Sequence, residues 1–211
     1  MKIIYHRIDY KNQNDVDMIS INIENGITSF ELDLQLAKDN IVIFHDSTLK
    51  KKGIYKNICD YSCEELKQLN ISNIDDLCNV LGKYKNLDIF LDLKGANNKM
   101  LTFLYYKLPL LKRHSIYIQS FNHLYIDILK KLINYDYVKF GYIIHGYLSI
   151  SWSQYLQSID FICIDNQYLP LFIKGLDINI YIYNCNSYDE IKSNRKFISG
   201  IITDFPDHFN T

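Results

Sequence analysis

The run Phe30-Glu31-Leu32-Asp33-Leu34-Gln35-Leu36 constrains the fold more than any other stretch of the 211 residues. It alternates with the period of a strand, so Glu31 and Asp33 share one face while Phe30, Leu32, Leu34 and Leu36 share the other. Two carboxylates side by side in an otherwise apolar strand repel each other and are costly to desolvate. A bound cation is the simplest remedy. The chain then turns at Asp39-Asn40 and returns as Ile41-Val42-Ile43-Phe44, ending in His45-Asp46, which brings an imidazole within reach of the acidic pair. This return, expected over 41–46, follows its predecessor too closely for a parallel crossover and must be an antiparallel excursion.

With the excursion set aside, eight strands are expected, at 3–5, 30–36, 87–94, 115–121, 138–144, 161–165, 178–185 and 200–204. Helices are expected between them. One is capped by Asn14-Asp15 and runs to about Glu24, and another opens with the capping box Ser62-x-x-Glu65. Others fit 75–84, 99–112, 123–135, 150–157 and 187–196, and 167–176 is ambiguous. Alternation in that number points to an α/β chain folded as a compact (β/α)8 TIM barrel, a single domain over 1–211, with a small β-hairpin excursion after the second strand. The polar residues support this. His6, Arg7, Asp33, Asp92, Lys94, Asp165 and Asp204 all fall at or near C-terminal strand ends, which in a barrel converge on the active-site face.

Composition removes several function classes. A formal net charge of −1 offers no basic excess for binding nucleic acid. There is no apolar run of about 18 residues to span a membrane. The apolar run within Met1 to Arg7 is too short for a signal peptide. Five irregularly spaced cysteines suit a reduced, cytoplasmic protein, and Cys59-x3-Cys63 lacks a partner pair for zinc.

At the expected barrel mouth, the carboxylates Glu31, Asp33 and Asp92 suit a hard divalent cation, Mg²⁺ or Ca²⁺. Arg7 and Lys94 complement an anionic phosphate, and His6 with His45 can supply a general acid and a general base. The set reads as metal-assisted phosphoester cleavage. The plainer alternatives are an ion pair for Lys94 with Asp92, turn caps for Asp204 and Asp165, and packing or rim roles for Tyr183, Trp152 and His145.

Several motifs in order resemble the glycerophosphodiester phosphodiesterase family, within the phosphatidylinositol phospholipase C-like superfamily. They are His6-Arg7, Phe30-Glu31-Leu32-Asp33, the hairpin from Lys38 to His45-Asp46, Leu91-Asp92-Leu93-Lys94, Gln119-Ser120-Phe121 and Gly200-Ile201-Ile202-Thr203-Asp204-Phe205-Pro206-Asp207. The resemblance implies metal-dependent hydrolysis of a small glycerophosphodiester to glycerol 3-phosphate and an alcohol. Glu31, Asp33 and Asp92 would bind the metal, His6 and His45 would form the acid–base pair, and Arg7 with Lys94 would hold phosphate. The chain departs from the family pattern at Ile8, where glycine is common, at Asp92, where glutamate is usual, and at Tyr183, where tryptophan is frequent. Two other readings are a phospholipase D-like, sphingomyelinase-type enzyme that forms a cyclic phosphate, matched by Asp92-Leu93-Lys94, and a decayed barrel that binds phospho-ligands without turnover.

Overall fold

The computed structural model describes residues 1–8, 13–95, 97–146, 155–171, 177–191 and 193–209. Strand β2 (Ser29–Leu36) is its hub, buried along its whole length. Parallel strand β4 (Asp88–Leu93) runs beside it in the register Asp33↔Asp92. The other edge of β2 is shared by β1 (Lys2–Tyr5), parallel at Tyr5↔Phe30, and by the short antiparallel return β3 (Ile41–Ile43). From β4 the sheet continues through β5 (Ser115–Ser120), β6 (Val138–Ile144), β7 (Phe161–Asp165), β8 (Asn179–Tyr183) and β9 (Gly200–Thr203), which pairs with β1. The β1–β2 bridge therefore closes a barrel of eight parallel strands, with β3 outside the ring. The fold is a (β/α)8 TIM barrel.

Helices α1 (Val16–Glu24), α2 (Cys63–Lys67), α3 (Ile74–Leu81), α4 (Asn98–Lys107) and α5 (His123–Leu132) sit between the strands. Local chemistry starts them. Asp15 caps α1, capping boxes open α2 (Ser62 with Glu65) and α3 (Asn73 with Asp76), and Asn97 caps α4. The helix expected over 99–112 ends early because Pro109 cannot donate to an α-helical ladder, and a 3₁₀ turn at Leu108–Leu111 finishes it. The expected 187–196 helix is also corrected. Ser187 Oγ and the Asn186 N–H both bind Glu190 Oε1, which holds a tight turn, and a 3₁₀ segment at Arg195–Phe197 follows. The return strand ends at Ile43, short of His45, with one more ladder bond beyond it from the Phe44 N–H to Asp33 O. Most of the expected 150–157 helix, with Trp152, and the end of 167–176 lie outside the described residues.

Two apolar layers follow from strand alternation. Phe30, Leu32, Leu34 and Leu36 face outward into the main core against the helices. Inside the barrel Phe90, Tyr117, Phe161 and Tyr181 form an aromatic plug, with Phe90 stacked on Tyr117 at 4.2 Å between centroids. The plug needs Gly141, because a Cβ there would lie 2.3 Å from the Phe161 ring. Gly141→Ala should therefore destabilise the fold by roughly 1–3 kcal/mol through overpacking. Urea denaturation will read this, and an unchanged midpoint would mean that the Phe161 ring moves aside freely. Above the plug, at the C-terminal strand ends, the barrel opens into a polar cavity.

Candidate active site

The cavity, about 220 Å³, gathers all seven residues singled out in the sequence: His6, Arg7, Glu31, Asp33, His45, Asp92 and Lys94. β2 and β4 deliver the acids as in-register inward residues, and one oxygen of each of Glu31, Asp33 and Asp92 lies within 4.8 Å of the others. All three are buried.

Beyond β1 the backbone turns sharply, with left-handed φ of 51° at Arg7 and 62° at Ile8. Such angles are costly for a β-branched residue and persist where the surroundings enforce them. Here the Ile8 side chain is fully buried, the Arg7 N–H donates to Glu31 Oε2 at 3.1 Å, and Arg7 O accepts from the Asn14 N–H at 2.9 Å.

Both histidines are oriented by carboxylates. His6 Nδ1 lies 2.7 Å from Asp204 Oδ1, and His45 Nδ1 lies 2.6 Å from Asp46 Oδ1. Because an ionised carboxylate accepts only, each Nδ1 carries the proton, and Nε2 of a neutral ring is left to take one. His6 Nε2 stands 3.9 Å from Glu31 Oε2. Burial pulls the His6 pKa down, but the hydrogen bond to Asp204 and the charge of Glu31 outweigh it and hold it above the usual 6.5.

The acids are compensated unequally. Asp33 accepts from Asn14 Nδ2 at 2.9 Å, lies 3.3 Å from Lys94 Nζ, and forms an ion pair with Arg7 Nε at 2.9 Å whose N–H is not aligned as a hydrogen bond. Burial alone would raise its pKa, yet Lys94, Arg7 and Asn14 together bring it below 3.8. Asp92 pairs with Lys94 through Oδ2, while its buried Oδ1 has no hydrogen-bond partner among the described residues, and burial pushes it up to about 6. Glu31 is pushed up to about 8 by burial and by the charge of Asp33. In the ion-free fold the Glu31 carboxyl is therefore biased toward its protonated form. Arg7 and Lys94, expected on phosphate, here serve the carboxylates as well, so a cation is not their sole compensation.

Other nucleophiles are poorly placed for attack. Cys163 lines the cavity, but burial holds its thiol well above the ordinary value, and burial likewise raises Tyr183. Tyr183 lines the cavity with Phe121, edge to face at 6.5 Å between centroids, and its hydroxyl sits near Ile144 O and His145 Nδ1. Asp165 does cap its turn, accepting the Gln167 N–H at 3.0 Å, and also binds Asn184 Nδ2.

Three contributors have roles that the sequence reading did not assign. Asp204 orients His6 instead of capping the turn, a task taken by Thr203 Oγ1, which accepts the Phe205 N–H. Asn14 is no helix cap: it takes a left-handed φ of 61° and its amide binds both the backbone and the side chain of Asp33. Gln119, inward on β5 and in register with Asp92, also lines the cavity. Residue spacing carried no signal for these long-range contacts, although Asp204 stood among the strand-end acids.

No protein-family profile and no curated protein matches the chain. Solved structures do. A protein from Silicibacter pomeroyi DSS-3 aligns over 99% of this chain and 91% of its own, with a TM-score of 0.80 at 13% identity. The glycerophosphodiester phosphodiesterase of Thermotoga maritima aligns over 99% of this chain and 97% of its own, with a TM-score of 0.74 at 23% identity. A glycerophosphoryl diester phosphodiesterase from Parabacteroides distasonis ATCC 8503 aligns over 98% and 84%, with a TM-score of 0.65 at 16% identity. At these identities the likeness establishes a shared barrel fold.

Proposed function

We propose that this chain is a phosphoric diester hydrolase that cleaves glycerophosphodiesters to glycerol 3-phosphate and an alcohol. One observation carries the reading: three buried carboxylates within 4.8 Å share a cavity with two carboxylate-anchored histidines and two cationic side chains. The structural neighbours named as glycerophosphodiester phosphodiesterases support the same reading.

The residues fit a divalent cation. The donors are hard oxygens, Asp92 Oδ1 is buried and unpartnered among the described residues, and burial with the charge of Asp33 raises Glu31, which added positive charge would relieve. Glu31, Asp33 and Asp92 would hold Mg²⁺ or Ca²⁺, which when bound supplies Lewis-acid stabilisation of charge on the non-bridging phosphate oxygens. Arg7 and Lys94 would bind the phosphate and shift charge from the carboxylates to the substrate. One histidine takes the proton of the adjacent glycerol hydroxyl as its oxygen bonds to phosphorus. The other protonates the departing alcohol oxygen as the old P–O bond breaks, leaving a cyclic phosphate. Water then opens the ring with the two histidines in exchanged roles.

Residues 1–211 are read as one catalytic domain, supported by a barrel that begins at Lys2 and closes through Thr203. Among the described residues no helix is long and apolar enough to cross a membrane. The five free cysteines support a cytoplasmic setting for the reaction.

The test compares glycerophosphocholine with the analogue methylated on the adjacent hydroxyl. Proximity of that hydroxyl supplies much of the rate, so the blocked diester should react at least about 100-fold more slowly. Equal rates would show that water attacks directly. A cyclic phosphate accumulating as end product in ³¹P NMR would favour the phospholipase D-like chemistry instead.

A further inference from the structure

Strand β5 alternates so that Ile116 and Ile118 pack outward against the helices while Tyr117 and Gln119 point into the barrel. Gln119 is 2% exposed, and its Oε1 is buried with no hydrogen-bond partner among the described residues. Its in-register neighbours offer no donor. On β4 that neighbour is Asp92, and on β6 it is Gly141, which has no side chain. A buried amide oxygen left bare is costly, and natural interiors rarely tolerate one without a purpose.

The second bare acceptor belongs to its register neighbour. Among the described residues Asp92 Oδ1 is also buried and unpartnered, and the two residues sit side by side on neighbouring strands, both lining the cavity. A substrate hydroxyl donates one proton and would satisfy one of the two oxygens. A divalent cation accepts lone pairs from both, and amide oxygens are ordinary ligands for hard cations.

We propose that Gln119 Oε1 is a further, neutral oxygen ligand of the divalent cation, binding beside Asp92. The inference rests on the metal-dependent reading of this site. It assigns Gln119 a metal-holding task rather than contact with the glycerol or the alcohol.

The experiment titrates Mg²⁺ and Ca²⁺ into the ion-free protein by calorimetry and thermal shift, for wild type, Gln119→Met, Gln119→Glu and Glu31→Gln. Gln119→Met keeps the side-chain length and removes the bare acceptor. It should raise the melting temperature of the ion-free protein slightly while weakening cation binding about 10-fold or more. Gln119→Glu should do the reverse, lowering ion-free stability and enlarging the cation-induced shift. These opposed signs are ones that a merely structural glutamine would not produce, and Gln119→Glu still tests the inference if Gln119→Met fails to fold. Cation affinity within twofold of wild type in Gln119→Met, with binding lost in Glu31→Gln, would overturn the inference and leave the carboxylate site standing. Unchanged affinity with a raised KM would place Gln119 on the substrate and overturn it too. No cation binding by wild type would overturn both readings.

Discussion

Replacing His6 or His45 with alanine should lower kcat by roughly 10²–10⁴-fold, the usual worth of a positioned general acid or base. Both rings are held through Nδ1, by Asp204 at 2.7 Å and Asp46 at 2.6 Å, so each has a defined orientation that leaves proton exchange to Nε2. Wild type should show a bell-shaped pH–rate profile near neutrality, and each variant should lose one limb of it. The His6 pair also contributes to folding over a defined window. His6 is raised above 6.5, so its contribution is present at lower pH and lost as pH rises through the folded value. Asp204, lowered below 3.8 first by its hydrogen bond to His6, loses its share as pH falls through the folded value. Wild-type turnover by His45→Ala would remove His45 from the chemistry.

Chelation should abolish activity and lower the melting temperature, and Glu31→Ala or Asp33→Ala should abolish turnover while the barrel still folds. A cation at about 100 times its dissociation constant adds about 2.7 kcal/mol to stability, or roughly 5–10 °C for a chain of this size. The pH dependence follows from Glu31, whose pKa in the ion-free fold is raised from 4.5 to about 8. The native carboxyl keeps a proton that the unfolded chain has released, so the ion-free protein loses stability as pH rises across that window. Asp92, raised from 3.8 to about 6, adds to the loss at the lower end. A bound cation replaces the proton, so the cation-induced shift should grow from pH 5 to pH 8. Full activity in excess EDTA would remove the metal from the mechanism. A shift independent of pH would place the cation away from Glu31.

The architecture was legible because it rests on short-range patterns. Alternation in Phe30–Leu36 marks a strand with two faces, and the brief Asp39-Asn40 turn allows only an antiparallel return, as the β2–β3 pairing shows. Capping chemistry at Ser62 is a matter of four residues. The same logic failed where a local pattern had competing outcomes, as at 187–196, where Glu190 closed a turn instead of lying within a helix.

The grouping of the seven candidate residues in one cavity was legible for a related reason. They lie on or just beyond the strands, and a barrel sends the C-terminal strand ends to one mouth. The Lys94–Asp92 and His45–Asp46 pairs are local in sequence, but the long-range pairs were decided by the tertiary structure. The Tyr5↔Phe30 bridge closes the ring, and the β1–β9 register Tyr5↔Thr203 sets His6 against Asp204 across 198 positions of sequence. The fold also places Asn14 on Asp33 and, through the β2–β4 register, Lys94 between Asp33 and Asp92, so Asp33 is lowered while burial raises Glu31 and Asp92. Periodicity tells which face a side chain takes. Its partner across the barrel depends on the register and burial of strands far away in the chain, and these exist only once the ring has closed.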